Sequence, residues 1–310
     1  MKLRHVPVMA QEVAVYLVTE KAGVYLDCTI FAGGHAKKIL EATSPHGRLI
    51  GIDIDPQAIE LAKENLSSYK DRISLVHGNF ADLGQILSQR GVSEVDGVLL
   101  DLGVSSLQFD TPDRGFSFRH CGRLDMRMNK TAGQPISDDL NKKSADELAE
   151  IIRNFGEERW AKRIADGIVM TRKKTPLKTT TQLAEIIRKS VPVRYYGNIH
   201  PATRTFQALR IYKNRELENL ESGLEQAVPS LKSGGRICVI SFHSLEDRIV
   251  KHTFRDMERG CICPPRTPIC VCGRKPTLKV LTKRPVIPQG EEIRANPRSR
   301  SAKLRVAAKL

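Results

Sequence analysis

The sequence predicts an α/β fold in which a mostly parallel sheet is interrupted by a helical insert. Two patterns carry this expectation. Over the first hundred residues, short apolar runs alternate with helical stretches, the rhythm of βαβ units. That rhythm then stops, and a further strand pattern returns only at residues 236–241.

Residues 24–29 (VYLDCT) form the first buried-strand run. The pair Gly33-Gly34 follows, then a helical stretch to about Ala42. Residues 48–53 (RLIGID) read as the second strand, and Pro56 suits the first turn of a helix running to about Leu66. Residues 73–76 and 95–101 (VDGVLLD) are the third and fourth strands. Residues 108–133 are rich in Gly, Asp, Arg and Met and have no clear period. Residues 145–154, 158–171 and 181–189 carry amphipathic helical spacing, with an N-cap cluster at Thr179 to Thr181. A turn at Gly234-Gly235 precedes the last strand run, 236–241 (RICVIS). The expected plan is residues 1–114 as the first part of the sheet domain, 115–204 as a helical substrate-recognition insert, and 205–310 as the second part with a basic C-terminal region. There is no internal repeat and no low-complexity segment.

A chain of 310 residues with 40% hydrophobic residues can bury a sizeable core. No stretch approaches the roughly 20 apolar residues that span a bilayer. The first eleven residues, MKLRHVPVMAQ, lack the apolar core of a secretory signal and the Arg/Ser bias of a transit peptide. A cytoplasmic protein without a membrane partner is expected. The formal charge is +15, and residues 248–310 hold 16 basic and 4 acidic residues, +12 of that total. Such a field points to a polyanion, because Lys and Arg contacts to phosphate dominate nucleic-acid binding. Seven cysteines are present. Cys28 and Cys238 lie in strand-like runs and Cys121 is isolated. Cys261, Cys263, Cys270 and Cys272 form two C-x-C pairs, a set that can close a structural zinc site.

A strand ending at Asp27, a glycine pair, and a second strand ending at Asp53 stand in order. Glycines at a helix N-terminus admit close approach of a ligand. Asp53 lies 20 residues after Gly33, the spacing at which an acid holds ribose hydroxyls in nucleotide-binding α/β folds. The full G-x-G-x-x-G spacing is absent, since Phe31 occupies an earlier glycine position. This disfavours a pyrophosphate-bearing cofactor and suits S-adenosylmethionine, which has no phosphate.

The runs His5-Val6-Pro7-Val8-Met9, Gly33-Gly34-His35, Asp101-Leu102-Gly103-Val104-Ser105-Ser106, Arg114-Gly115-Phe116-Ser117-Phe118 and Leu124-Asp125-Met126-Arg127-Met128 occur in that order. They are followed by HPATRTFQALR at 200–210, SFHSLEDRIVK at 241–251 and EEIRANPRSRSAKL at 291–304. Together they resemble the bacterial small-subunit (16S) rRNA cytosine-N4 methyltransferase family, over essentially the whole chain. The resemblance implies a Rossmann-like adenosylmethionine-binding sheet with a small inserted helical domain. It implies cofactor contacts from Gly33, Gly34, His35, Asp53, Phe80, Asp101 and Gln108, with Phe80 placed to cover the adenine. It implies small-subunit rRNA or the assembled small subunit as partner, with a cytosine of the decoding region as target. The chain departs from the family at Phe31, where glycine is usual, at Ala36, where small polar residues are common, and at Arg123, where proline is frequent.

Amine methylation needs the amine, methyl and sulfur in line, and acceptors for the amine hydrogens. Asp101, Ser105 and Ser106, after the fourth strand, and His243, after the fifth, are the candidates. Asp101 is open to two roles, accepting from the amine or contacting the methionine end of the cofactor, and to a structural one as a turn cap. His243 is open to orienting the base, contacting phosphate, or a structural role. Arg204 and Arg210 suit either RNA phosphates or a solvated helix face. A nicotinamide oxidoreductase would need an intact phosphate-binding glycine loop. A C5-methyltransferase typically uses a Pro-Cys nucleophile, and no Pro-Cys dipeptide occurs. A non-catalytic RNA-binding or assembly protein would not need Asp53, Asp101 and Gln108.

Overall fold

The structure, a computed structural model, describes residues 7–193, 200–264, 269 and 271–310. His5, Val6 and Cys270 lie outside the described residues. The chain divides into two compact units, Met1–Gly103 with Leu217–Leu310, and Val104–Glu216.

The first unit is built on one seven-stranded sheet. Its strands are β1 (Val24–Asp27), β2 (Arg48–Asp53), β3 (Ile73–His77), β4 (Val95–Asp101), β5 (Leu231–Ser241), β6 (Leu278–Val280) and β7 (Lys303–Lys309), in the order β3-β2-β1-β4-β5-β7-β6. Strands β1 to β5 pair in parallel, and β7 enters antiparallel beside β5 with β6 at its outer edge. The order reverses between β1 and β4. In open α/β sheets ligands bind outside the carboxyl ends of the strands at such a switch point.

The strand sequences follow from this position. All seven residues of β4 are buried, so it reads as a continuous apolar run rather than an alternating one. One apolar cluster contains Leu26, Ile52, Val98, Leu100, Leu224 and Val239. A second contains Tyr25, Leu49, Leu99, Cys238, Ile240 and Leu304. Neighbours in β4 and β5 thus alternate between two cores. Cys28 and Cys238 are packed as small apolar residues.

Several boundaries differ from the sequence reading. β1 ends at Asp27, although Cys28 N–H still donates to Leu99 O at 2.9 Å. β5 begins at Leu231, so Gly234-Gly235 lies inside it. The register shifts between Val95 and Gly97, whose partners are Leu231 and Arg236. The glycines absorb this irregularity, with Gly234 at φ +80°. The helices Ala10–Leu17 and Ser244–Arg259, and the strands β6 and β7, have no counterpart in the periodicity reading. The helix Pro56–Asn65 starts as its sequence demands: Asp55 Oδ1 accepts from Gln57 N–H at 3.0 Å, and Pro56 occupies the first turn.

The second unit packs the helices Ile136–Lys142, Ala145–Gly156, Ala161–Arg172, Thr180–Ser190 and Ala202–Asn214 around their own core, including Leu148, Ile164, Ile187, Phe206 and Leu209. The sequence reading placed this segment at 115–204; the compact unit runs Val104–Glu216, and residue 204 falls inside a helix. Thr179 is the N-cap, in a capping box with Gln182. The aperiodic stretch before residue 133 is held by polar contacts. Buried Arg114 donates to the carbonyls of Arg127 and Met128 at 3.1 and 2.8 Å. Arg127 forks onto Asp125 at 2.7 and 2.9 Å, and Asn214 bonds Met126 O and Met128 N–H, both at 2.8 Å. No helix among the described residues is long and apolar enough to cross a membrane.

Gly122 lies at the tightest point of this stretch. A Cβ there would overlap the carbonyl of Pro112, while Gly122 O accepts from Thr180 N–H at 2.9 Å. Gly122→Ala should therefore destabilise the protein by about 1–3 kcal/mol, the range for overpacking. Urea unfolding measures it, and an unchanged midpoint would show that this approach is not close in solution.

Candidate active site at the carboxyl edge of the sheet

Three strands end in aspartate at the same edge: Asp27 on β1, Asp53 on β2 and Asp101 on β4. All three are buried. Asp27 and Asp101 flank the switch point. Asp27 Oδ1 accepts from Thr29 N–H at 3.1 Å, and Asp101 N–H donates to Thr29 Oγ1 at 2.7 Å, so Thr29 ties the two strand ends together. Asp27 Oδ2 and Asp101 Oδ1 are buried and have no hydrogen-bond partner among the described residues. Burial, reinforced by the neighbouring Asp53, pushes Asp27 up to about 7. Burial, with Asp27 and Glu246 as like charges, pushes Asp101 well above the usual carboxylate range. Two adjoining carboxyls in this state can be neutral, or can ionise against a cation.

His35 reports on the same pair. Its Nε2 lies 2.8 Å from Val8 O, and a carbonyl can only accept, so Nε2 carries the hydrogen. Nδ1 then faces Asp101 Oδ2 at 3.5 Å.

The glycine pair has a different task from the one its position suggests. Gly33 has φ +82° and a Cβ would strike Leu66 at 2.7 Å. A Cβ on Gly34 would crowd the Pro7 ring at 3.1 Å. Both glycines thus let the loop pack against protein. Phe31, two residues earlier, has φ +46° and donates its N–H to Asp53 Oδ2 at 2.9 Å. This left-handed conformation is one that glycine adopts without strain and a bulky side chain does not. It accounts for the departure at this position: the aromatic ring is buried and its backbone keeps the glycine-like turn. Asp53 also accepts from Asp55 N–H at 2.9 Å through Oδ1. Each of its oxygens thus accepts from a backbone N–H, and these bonds orient the carboxylate.

Phe80 follows β3 on a short turn. Asn79 Oδ1 accepts from Ala81 N–H at 3.0 Å, and Ser222 and Gln226 both bond Ala81 O. A Cβ on Gly223 would meet the Phe80 ring at 2.6 Å, so that glycine admits the half-buried aromatic.

The motif at 101–106 is divided between the two units. Asp101 closes β4 in the first, whereas Ser105, Ser106 and Gln108 belong to the second. Ser105 Oγ accepts from Gln108 N–H and Gln108 Oε1 from Ser105 N–H, both at 3.1 Å, a capping box for the helix Ser106–Asp110. His243 is likewise an N-cap: its Nδ1 faces Glu246 N–H at 3.4 Å at the start of the helix Ser244–Arg259. Glu246, which the sequence reading passed over, accepts from Phe242 N–H at 2.8 Å and lies 3.0 Å from His243 Nε2. Asp27 was also passed over. The signals that point to both are plain in retrospect: a third strand-ending aspartate, and a glutamate three residues after a cap position.

Arg210 forks onto Glu216 at 2.9 Å through both nitrogens, so it is an ion-pair residue rather than a solvated cation. Arg204 is exposed. Cys261, Cys263 and Cys272 come together, with Sγ atoms all within 4.8 Å of one another; Cys270 lies outside the described residues.

Asp27 carries a consequence for stability. Its carboxyl is raised in the folded protein from the ordinary 3.8 to about 7, so folding favours its protonated form. The associated stability is full below the unfolded value and is lost as pH rises through the folded one. Asp27→Asn should gain on the wild type by roughly 1.4 kcal/mol per pH unit between these limits and no further above them. Urea titrations of cofactor-free protein from pH 5 to pH 8 measure this. Parallel pH profiles for the two proteins would remove the buried ionisation at Asp27.

The MraW methylase family profile matches residues 2–310. A ribosomal RNA small subunit methyltransferase H from Trichlorobacter lovleyi is 54% identical over 310 residues, covering 100% of this chain and 99% of its own. Proteins of the same name from Pelobacter propionicus and Geobacter sulfurreducens are each 53% identical, covering 99% and 100% of this chain and 99% and 100% of their own. With a match of this extent to the family profile, and the strand-end carboxylates in place, the chain belongs to the MraW methylase family.

Proposed function

We propose that this chain transfers a methyl group from S-adenosylmethionine to the N4 amine of a cytosine in small-subunit (16S) rRNA, in the decoding region. The supporting observation is the pair of buried carboxyls, Asp27 and Asp101, each with an oxygen unpartnered among the described residues, at the switch point of a methylase-family sheet. The names of the full-length relatives supply the substrate class. When bound, the cofactor supplies a methyl group on a cationic sulfonium, and it also carries a cationic ammonium.

The chain's residues fit that molecule. Asp27 is poised to ionise against the cofactor's cationic groups. Asp53, its carboxylate oriented by backbone donors from Phe31 and Asp55, suits the ribose diol. Phe80 offers an aromatic face to the adenine. Gly33, Gly34 and His35 shape the loop around the site. At the amine, whose lone pair is delocalised into the ring, an acceptor must take up the hydrogens as charge develops on nitrogen. Asp101 fills that role in this reading. Ser106 and His243 orient the base, while Ser105 serves the helix cap. The exposed Arg298 and Arg300, with Arg204, contact RNA phosphates. The substrate is rRNA or the assembled small subunit, which places the reaction in the cytoplasm.

Mass spectrometry of small-subunit rRNA from cells with and without the chain tests the assignment. One cytosine should lose a single methyl group, and re-expression should restore it; an unchanged methylation map would sink the reading. The chemical step has its own test. Asp101→Asn should lower saturating-cofactor turnover by roughly 10²–10³, as when one transition-state hydrogen-bonding group is lost. Cofactor affinity should change little. A fall in affinity with turnover recovered at saturation would move Asp101 to the methionine end of the cofactor.

A further inference from the structure

We propose that Cys261, Cys263 and Cys272, joined by Cys270, hold a structural zinc ion that knots the loop between the helix Ser244–Arg259 and β6. The three described thiols come from both ends of this loop, eleven residues apart at their widest. Their Sγ atoms all lie within 4.8 Å of one another, and Cys261 and Cys272 are separated by 3.7 Å. A tetrahedral zinc with bonds of about 2.3 Å to sulfur requires sulfur–sulfur edges of about 3.8 Å. A disulfide requires about 2.05 Å. The spacing matches an edge of the tetrahedron and not a covalent bond. Cys270 lies outside the described residues; in sequence it stands two before Cys272, as Cys261 stands two before Cys263, and on that spacing it is assigned as the fourth thiol.

The described backbone brings Cys261 and Cys263 to Cys272. Gly260 caps the helix with φ +68°, and a Cβ there would meet Pro276 N at 2.5 Å, so the outgoing and returning chains touch. Thr277 N–H then donates to Met257 O at 2.9 Å and closes the loop. Gly273, also left-handed at φ +64°, turns the chain directly after Cys272. Ile262, Ile269 and Val271 are 60%, 77% and 82% exposed, whereas Cys263 is buried. A loop of this length with its apolar residues in solvent does not recover its ordering entropy by burial. Metal–thiolate bonds supply what the missing core does not.

The ion is structural because four thiolates leave no open coordination position. Its distance from the chemistry supports this. The 16-residue helix spans about 24 Å, with His243 at its start and the cysteine loop at its end. Each thiol loses one proton on binding, leaving a site of net charge −2, and Arg259, Arg274 and Lys275 flank it in sequence with positive charge.

The test uses the full chain purified without chelator. Elemental analysis should find one zinc per chain, and the four thiols should resist a thiol-titrating reagent until a strong chelator is added. Cobalt substitution should give the visible bands of a tetrahedral thiolate site. The Cys261→Ser/Cys272→Ser double variant should lose the metal and become protease-sensitive within residues 260–277, with adenosylmethionine affinity within twofold of wild type. That retained affinity separates this proposal from the methyl-transfer reading. Metal-free protein with four freely reactive thiols, a Cys261–Cys272 disulfide in native mass spectra, or iron with inorganic sulfide in place of zinc would each overturn it.

Discussion

The first unit depends on one costly arrangement, the burial of Asp27 and Asp101 side by side at the ends of adjacent parallel strands. Water-excluded like charges repel strongly, and the folded protein meets this by favouring protonation. The surroundings hold the pair in place instead of neutralising it. Thr29 bonds both strand ends, His35 is anchored by Val8 O and faces Asp101, and Glu246 adds a further negative charge nearby. A fold selected for stability alone would replace such a pair with apolar residues. Its retention makes sense where a cationic ligand completes it.

Local capping chemistry and catalytic chemistry draw on the same residue types, and this chain shows how the two compete. Ser105 and Gln108 satisfy each other's backbone N–H groups, and His243 and Glu246 do the same around a longer helix. Ser, Gln, His and Glu are the residues a reader of sequence assigns to catalysis when they follow a strand. They are equally the residues that start a helix, because the first N–H groups of every helix lack intrahelical partners. A side chain in a capping box is also rigid, which suits a position beside a substrate.

The basic C-terminal region is likewise partly structural. Lys303 and Arg305 pair with Asp247, at 3.1 and 2.6 Å, across the junction of β7 and the helix that covers it. Lys309 donates to the carbonyl of Val228 at 2.9 Å. Arg298 and Arg300 are exposed on the turn before β7. A count of lysines and arginines alone therefore overstates how many of them are solvated cations.

The amino-acid sequence by itself determined the parallel sheet, because β1 to β4 are short apolar runs separated by helices of 3.6-residue period. It also determined the placement of Asp53 and Asp101, because strand ends are legible wherever an apolar run stops at a carboxylate. The motif runs carried the family. Tertiary structure decided the rest. β7 runs antiparallel beside β5, a long-range pairing that no local pattern encodes. The Gly234-Gly235 turn became an irregularity inside β5 because the register with β4 shifts there. Gly33 and Gly34 serve Leu66 and Pro7, neighbours that only folding supplies. Asp27 became a candidate site residue because β4 pairs with β1 across a crossover and sets two carboxyls together. Burial and proximity are properties of that pairing, and they exist only once residues seventy positions apart share an edge.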